Sequence, residues 1–325
     1  MKTEAAWWMW ALFFCFLLLT VAIPGESYSD FNNYVGFVNE IFKHGDIRGL
    51  GHAEPVFIYF SKLSGVVGFS SYQTVKAFSV LSVLIIFSAF FIEKISPIAI
   101  ILWGVAFYVL FNLVLVRFGV ALSFACIATS FLGRDRLPVA FIFTFLSALS
   151  HYSIAVVLIM VWLTYVYGKR ELLIKKLRFD KLPRVALITV ICLTGLLVVL
   201  AALMFVLMYG HYLKIESSES VSLRLLALAA ISFFIGALAY IVCREGLSLI
   251  ERSGCYLAML AVPASLLLYA NPLVAGRIVY VLIALLPFVV NALLKKRDWR
   301  INAIVAFLIL GFASNLFFFS NYIRF

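Results

Sequence analysis

Long apolar runs, recurring about eleven times, limit what this chain can fold into more than any other feature. They occupy 5–23, 74–92, 97–116, 118–132, 137–150, 152–167, 185–208, 223–243, 255–270, 278–294 and 301–320. Most approach the roughly 20 residues a helix needs to cross a bilayer. A 325-residue chain that is 65% hydrophobic carries more apolar surface than a soluble domain of that length can bury. Strands of a barrel would alternate apolar and polar positions, and runs such as Ile98-Ala99-Ile100-Ile101-Leu102 do not. The expected fold is an all-α polytopic integral membrane protein, with about eleven transmembrane or re-entrant helices in a single membrane domain, 1–325.

Three runs, 118–132, 137–150 and 152–167, hold only about 15 residues, so they thin the bilayer locally or pair as re-entrant helices. The stretch 55–69 is too polar for a span and reads as an interfacial or re-entrant helix with Pro55 in its first turn. The first run ends in Ala22-Ile23-Pro24-Gly25, which lacks a small-x-small cleavage site, so an uncleaved first span is expected.

Charge gives the orientation. Loop 168–184 carries Lys169, Arg170, Lys175, Lys176, Arg178, Lys181 and Arg184, which places it in the cytoplasm. Alternation then puts the N-terminus, 93–96, 133–136, 244–252 and 295–300 inside, with about 17 of the 26 lysines and arginines. The C-terminus falls outside. Because the basic excess sits in short inner loops, the net charge of +11 needs no nucleic-acid partner. The five cysteines form no CxxC, and there is no Asp-x-Asp, metal-spaced cluster or glycine-rich phosphate loop. No metal and no cofactor are expected.

Arg117, His151 and Arg277 interrupt apolar sequence, where an ionisable side chain costs roughly 3 kcal/mol or more at bilayer centre. The charge-derived topology puts all three at the outer ends of their segments. Loop 24–54 lies on the same side and carries Asp30, Tyr34, Glu40, His44, Asp46, Arg48, His52 and Glu54. At that length it exceeds a simple connector and reads as a functional loop. Glu54, immediately before Pro55, is either a helix cap or a general base. Each arginine either snorkels to lipid phosphates or grips a diphosphate through its planar fork. His151, flanked by Ser150, Tyr152 and Ser153, is either a packed polar residue or part of a reactive site. The different-class alternative is a carrier of lipid-linked oligosaccharide, and the broken midplane helices or repeat expected of one are not evident.

In order along 28–285 the chain shows Asp30-x-x-x-Tyr34, Glu54-Pro55-Val56-Phe57, Arg117-Phe118-Gly119-Val120-Ala121, His151-Tyr152-Ser153 and Arg277-Ile278-Val279-Tyr280. In this pattern it resembles the EpsG-like branch of the Wzy-type O-antigen and exopolysaccharide polymerases. The resemblance implies a polymerase in the bacterial inner membrane, with its active site facing the periplasm. Such an enzyme joins undecaprenyl-diphosphate-linked oligosaccharide repeat units by glycosyl transfer. A glycan ligase or another lipid-linked glycosyltransferase would use the same donor chemistry. Arg117 and Arg277 would bind the diphosphate without a metal. The base would be His151, Glu54 or Asp30, a choice the sequence leaves open. Tyr34, Tyr152 and Tyr280 are the expected sugar contacts. The expected partners are membrane lipids, the lipid-linked oligosaccharides, a chain-length regulator protein and a flippase.

Overall fold

The computed structural model describes residues 3–25, 29–45, 54–108, 115–169, 223–268 and 272–296, with the single positions 298, 302 and 305. Among the described residues every regular element is helical. In chain order they are α1 (Thr3–Ala22), α2 (Ser29–His44), α3 (Pro55–Val66), α4 (Ser71–Glu93), α5 (Pro97–Trp103), α6 (Val116–Leu132), α7 (Leu137–Ser150), α8 (Ala155–Gly168), α9 (Leu223–Cys243), α10 (Leu249–Leu267), α11 (Pro272–Ile283) and α12 (Leu286–Leu294). A π turn, Gly104–Tyr108, continues α5, and a 3₁₀ turn, Tyr152–Ile154, joins α7 to α8. Two helices, Ser71–Glu93 and Leu225–Gly246, are long and apolar enough to cross a bilayer by length and composition, and several shorter apolar helices accompany them. This is a membrane protein.

Local chemistry sets the helix boundaries. The Ser70 side chain accepts from the Gln73 amide and the Gln73 side chain answers to the Ser70 amide, a capping box that starts α4. That helix ends at Lys94 in the left-handed conformation, φ 52°. Ser248 and Glu251 start α10 in the same way. Pro55, Pro97 and Pro287 stand in the first turns of α3, α5 and α12, where the missing N–H costs nothing.

The core of the bundle is α4, α6 and α7. Small polar residues let these backbones approach, and their hydroxyls bond within the apolar interior. Ser123 Oγ lies 3.3 Å from Ser82 Oγ, and Ser147 Oγ donates to the Ala121 carbonyl at 2.7 Å. A second packing unit joins α9 to α10, where a Cβ on Gly236 would stand 2.9 Å from both Ala258 Cβ and the Cys255 carbonyl.

Polar groups collect at both ends of the bundle. At one end Arg134 bonds Glu93 at 3.0 Å and the Ile92 carbonyl, and Lys169 bonds Asp135 at 2.8 Å. There too Glu251 is bonded by Lys295 at 2.8 Å, while Asn291 accepts from the Ser96 amide. The 17 residues of α6 rise about 26 Å to the opposite end, close to the hydrocarbon thickness of roughly 30 Å. Arg117 is the second residue of α6, at that opposite end.

Four expectations change. The stretch 24–54 is not all loop, because its Phe31, Tyr34, Val38 and Ile41 form the buried stripe of α2. The expected run 97–116 breaks at Gly104 into the π turn, and a new helix begins at Val116. The run 278–294 starts earlier, at Pro272, and breaks between Ile283 and Leu286. Arg277 therefore lies inside α11 rather than at a helix end. The run 255–270 begins at Leu249 because the Ser248 cap recruits a further turn. Loop 168–184 beyond Lys169, the run 185–208, loop 209–222 and nearly all of 301–320 lie outside the described residues.

Candidate functional site

A small core, separate from the main one, builds the site. Phe31, Tyr34, Val38 and Ile41 of α2 pack with Phe57 of α3, Val75 and Phe78 of α4, and Val116 and Val120 of α6. Phe57 meets Phe78 edge to face with ring centroids 5.4 Å apart. Lys76 ties in α1: its ammonium donates to the Thr20 carbonyl at 2.9 Å and to the Ile23 carbonyl, and it lies 5.7 Å from the centre of the Phe31 ring. These contacts fix where α2 and α3 meet the head of α6.

Glu54 stands at that junction with an extended backbone, φ −68° and ψ 138°, directly before Pro55. Its side chain makes no capping bond to α3. It turns inward instead, and each carboxylate oxygen takes one partner. Oε2 accepts from Arg117 Nη1 at 2.5 Å, and Oε1 pairs with His151 Nδ1. His151 holds its place because α7 ends there: its backbone is extended, φ −166° and ψ 120°, and its amide bonds the Ser147 carbonyl. Its ring meets Phe118 edge on at 5.8 Å.

Depth orders the three side chains. That of Glu54 is 4% exposed, that of Arg117 17% and that of His151 28%. His151 is thus the most open member of the cluster. Behind Glu54, the Arg117 guanidinium lies against Tyr34, Phe37 and Phe57, with its carbon 5.0, 5.6 and 5.6 Å from the ring centres. Burial alone would raise the Glu54 pKa. The hydrogen bond and charge of His151, then the charge of Arg117, outweigh burial and hold the carboxyl below its ordinary value of 4.5. Glu54 is an anion here.

The structure therefore joins Glu54, Arg117 and His151, with Tyr34 against the guanidinium. Tyr152 follows His151 and is half-buried. Asp30 is the second residue of α2 and Arg277 belongs to α11, and the side chains of both lie outside the described residues. Tyr280 is buried, 6% exposed, in the main core. Phe37 and Phe57 were not singled out as site residues from sequence. The signal for Phe37 was present, since Tyr34 and Phe37 stand three apart and share one face of an amphipathic helix.

A buried carboxylate that aligns an imidazole is an arrangement able to move a proton. The chain matches the EpsG family over residues 7–325 and belongs to it. That family comprises Wzy-like polysaccharide polymerases, glycosyltransferases in the broad sense that act on lipid-linked oligosaccharides. Comparison with curated proteins and with solved structures gives no match.

Proposed function

We propose that this polymerase joins undecaprenyl-diphosphate-linked repeat units on the periplasmic face of the inner membrane, with His151 as general base and Glu54 as the group that orients it. The observation that carries this reading is the pairing of His151 Nδ1 with a buried, ionised Glu54. With Nδ1 committed, Nε2 is the ring nitrogen left to take a proton from an acceptor sugar hydroxyl. The hydroxyl oxygen forms the new bond to the anomeric carbon of the donor glycan. The anomeric carbon–diphosphate bond breaks, and undecaprenyl diphosphate leaves with the electron pair. Arg277 is the cation proposed to stabilise that leaving group, without a metal. Its α11 contacts α8, the helix that follows His151. Tyr152, half-buried beside His151, is the proposed sugar contact, whereas Tyr34 is buried against the Arg117 guanidinium. Asp30, one turn before Tyr34 on α2, is a candidate contact for the acceptor. A chain-length regulator and a flippase would share the substrate pool.

The orientation places the Arg134–Glu93 end in the cytoplasm and the Glu54 end outside. Single cysteines at Asp135 and at Val67, in a cysteine-free background, should label oppositely with an impermeant thiol reagent in intact spheroplasts. Equal labelling contradicts the orientation. The reaction class is tested by the glycan of a strain deleted for this chain. Single capped repeat units support a polymerase. Full-length unattached polymer means a ligase, and a lack of periplasmic repeat units means a flippase.

A further inference from the structure

From sequence Arg117 either snorkels to lipid phosphates or grips the donor diphosphate, as the resemblance implies, and the geometry points elsewhere. We propose that Arg117 is a positioning residue, which holds Glu54 in place as a two-armed acceptor for His151 and does not itself touch the diphosphate. This rests on the reading of His151 as the base.

Three observations carry it. First, the order of depth runs His151, then Arg117 and Glu54, so the side chain nearest to open space is the imidazole. Second, the guanidinium is enclosed by Tyr34 and Phe37 of α2 and Phe57 of α3, whose ring faces supply the favourable field that a bound anion would otherwise give. Its Nε is buried and has no hydrogen-bond partner among the described residues. Third, Nη1 donates to Glu54, and the Tyr34 side chain also engages the guanidinium. A diphosphate on Arg117 Nη1 would have to displace Glu54. Displacing Glu54 would free the imidazole from its aligning partner.

The groups facing Glu54 from each neighbouring element agree with this role. Arg117 comes from α6, Tyr34 from α2, and His151 and Tyr152 from the end of α7. On α4 the nearest cation is Lys76, which is engaged with the carbonyls that end α1. Arg117 is thus the fixed positive charge beside the carboxylate. Removing it raises the proton affinity of Glu54, which moves the acid limb of the rate profile toward higher pH.

The test uses the full chain in proteoliposomes, with repeat-unit lipid from the deletion strain as substrate and undecaprenyl diphosphate as binding probe. For Arg117→Met, kcat should fall about ten- to a hundredfold and the acid limb of kcat/KM should rise by about one pH unit. Binding of undecaprenyl diphosphate should stay within about threefold of wild type. Arg117→Lys should restore part of the limb position, since it keeps the charge but not the planar fork. Arg117→Met leaves a buried carboxylate uncompensated, so the pair Arg117→Met/Glu54→Gln is measured as well. Its loss should match that of Glu54→Gln alone, because two parts of one unit are not additive. The proposal is overturned if Arg117→Met weakens probe binding tenfold or more with the limb unmoved, or if its loss adds fully to that of Glu54→Gln. It is equally overturned if Arg117→Met leaves rate and profile unchanged. Full activity in Glu54→Gln and His151→Gln would instead defeat the reading on which the proposal rests.

Discussion

The two ends of the bundle each bury a glutamate beside a cation, yet the two arrangements differ in what they leave available. Glu251 is 2% exposed and Glu54 is 3% exposed. Glu251 closes the capping box of α10 through the Ser248 amide, accepts from Lys295 at 2.8 Å, and stands 3.5 Å from Asn291 Nδ2. Asn291 in turn accepts the Ser96 amide at the start of α5. Apart from the capping box itself, the bonds of that network tie one helix to another, and its cation is 52% exposed. The Glu54 side chain makes no capping bond. Its partners are an enclosed arginine and the most open ring of the cluster. A buried carboxylate therefore does not by itself mark a reactive site. The mark is a partner that can still accept or give a proton.

This contrast can be broken by treating the two glutamates alike. Glu54→Gln should lower chain extension by about 10²–10⁴-fold, the size of a general-base contribution. Glu251→Gln should leave extension within about threefold. Equal losses in the two variants would show that both ends only hold the fold together. Arg277→Lys comes next in expected size: loss of the bidentate fork should weaken binding of undecaprenyl diphosphate and turnover together, about ten- to a hundredfold. Unchanged binding would remove Arg277 from the donor site. Glu251→Gln should show its own effect in stability, costing about 1–2 kcal/mol, since the exposed lysine is readily resolvated. A fall in Tm of roughly 2–8 °C in detergent would match, and an unchanged Tm would mean the far-end network is not a clamp. Phe37→Leu is the mildest change. It removes one ring from Arg117 and should lower turnover about two- to fivefold, with donor binding unaffected.

The residues that proved closest together were also the most readable in the sequence. Arg117 and His151 stand out because an ionisable group in apolar sequence is costly, and Glu54 because a carboxylate precedes a helix-starting proline. Counting charges brought them to one level. It could not show that they touch, because contact depends on how α3 leans across the heads of α6 and α7. The helix inside 24–54 was hidden by its many polar residues, although Phe31, Tyr34, Val38 and Ile41 keep a helical spacing. Arg277 shifted from a helix end to the interior of α11 because Pro272 starts the helix five residues earlier. The role of Arg117 was open in sequence for a physical reason. An arginine is equally suited to phosphate and to a carboxylate within an aromatic cage, and in the fold its Nη1 meets Glu54.

The central claim is that His151, aligned by Glu54, takes the acceptor proton while other groups hold the donor. It is tested most directly by measuring undecaprenyl diphosphate binding and chain extension on the same proteoliposomes carrying His151→Gln. The account predicts binding within about threefold of wild type and extension reduced by about 10²–10⁴-fold. Extension at the wild-type rate, or a loss of binding as large as the loss of extension, would contradict it.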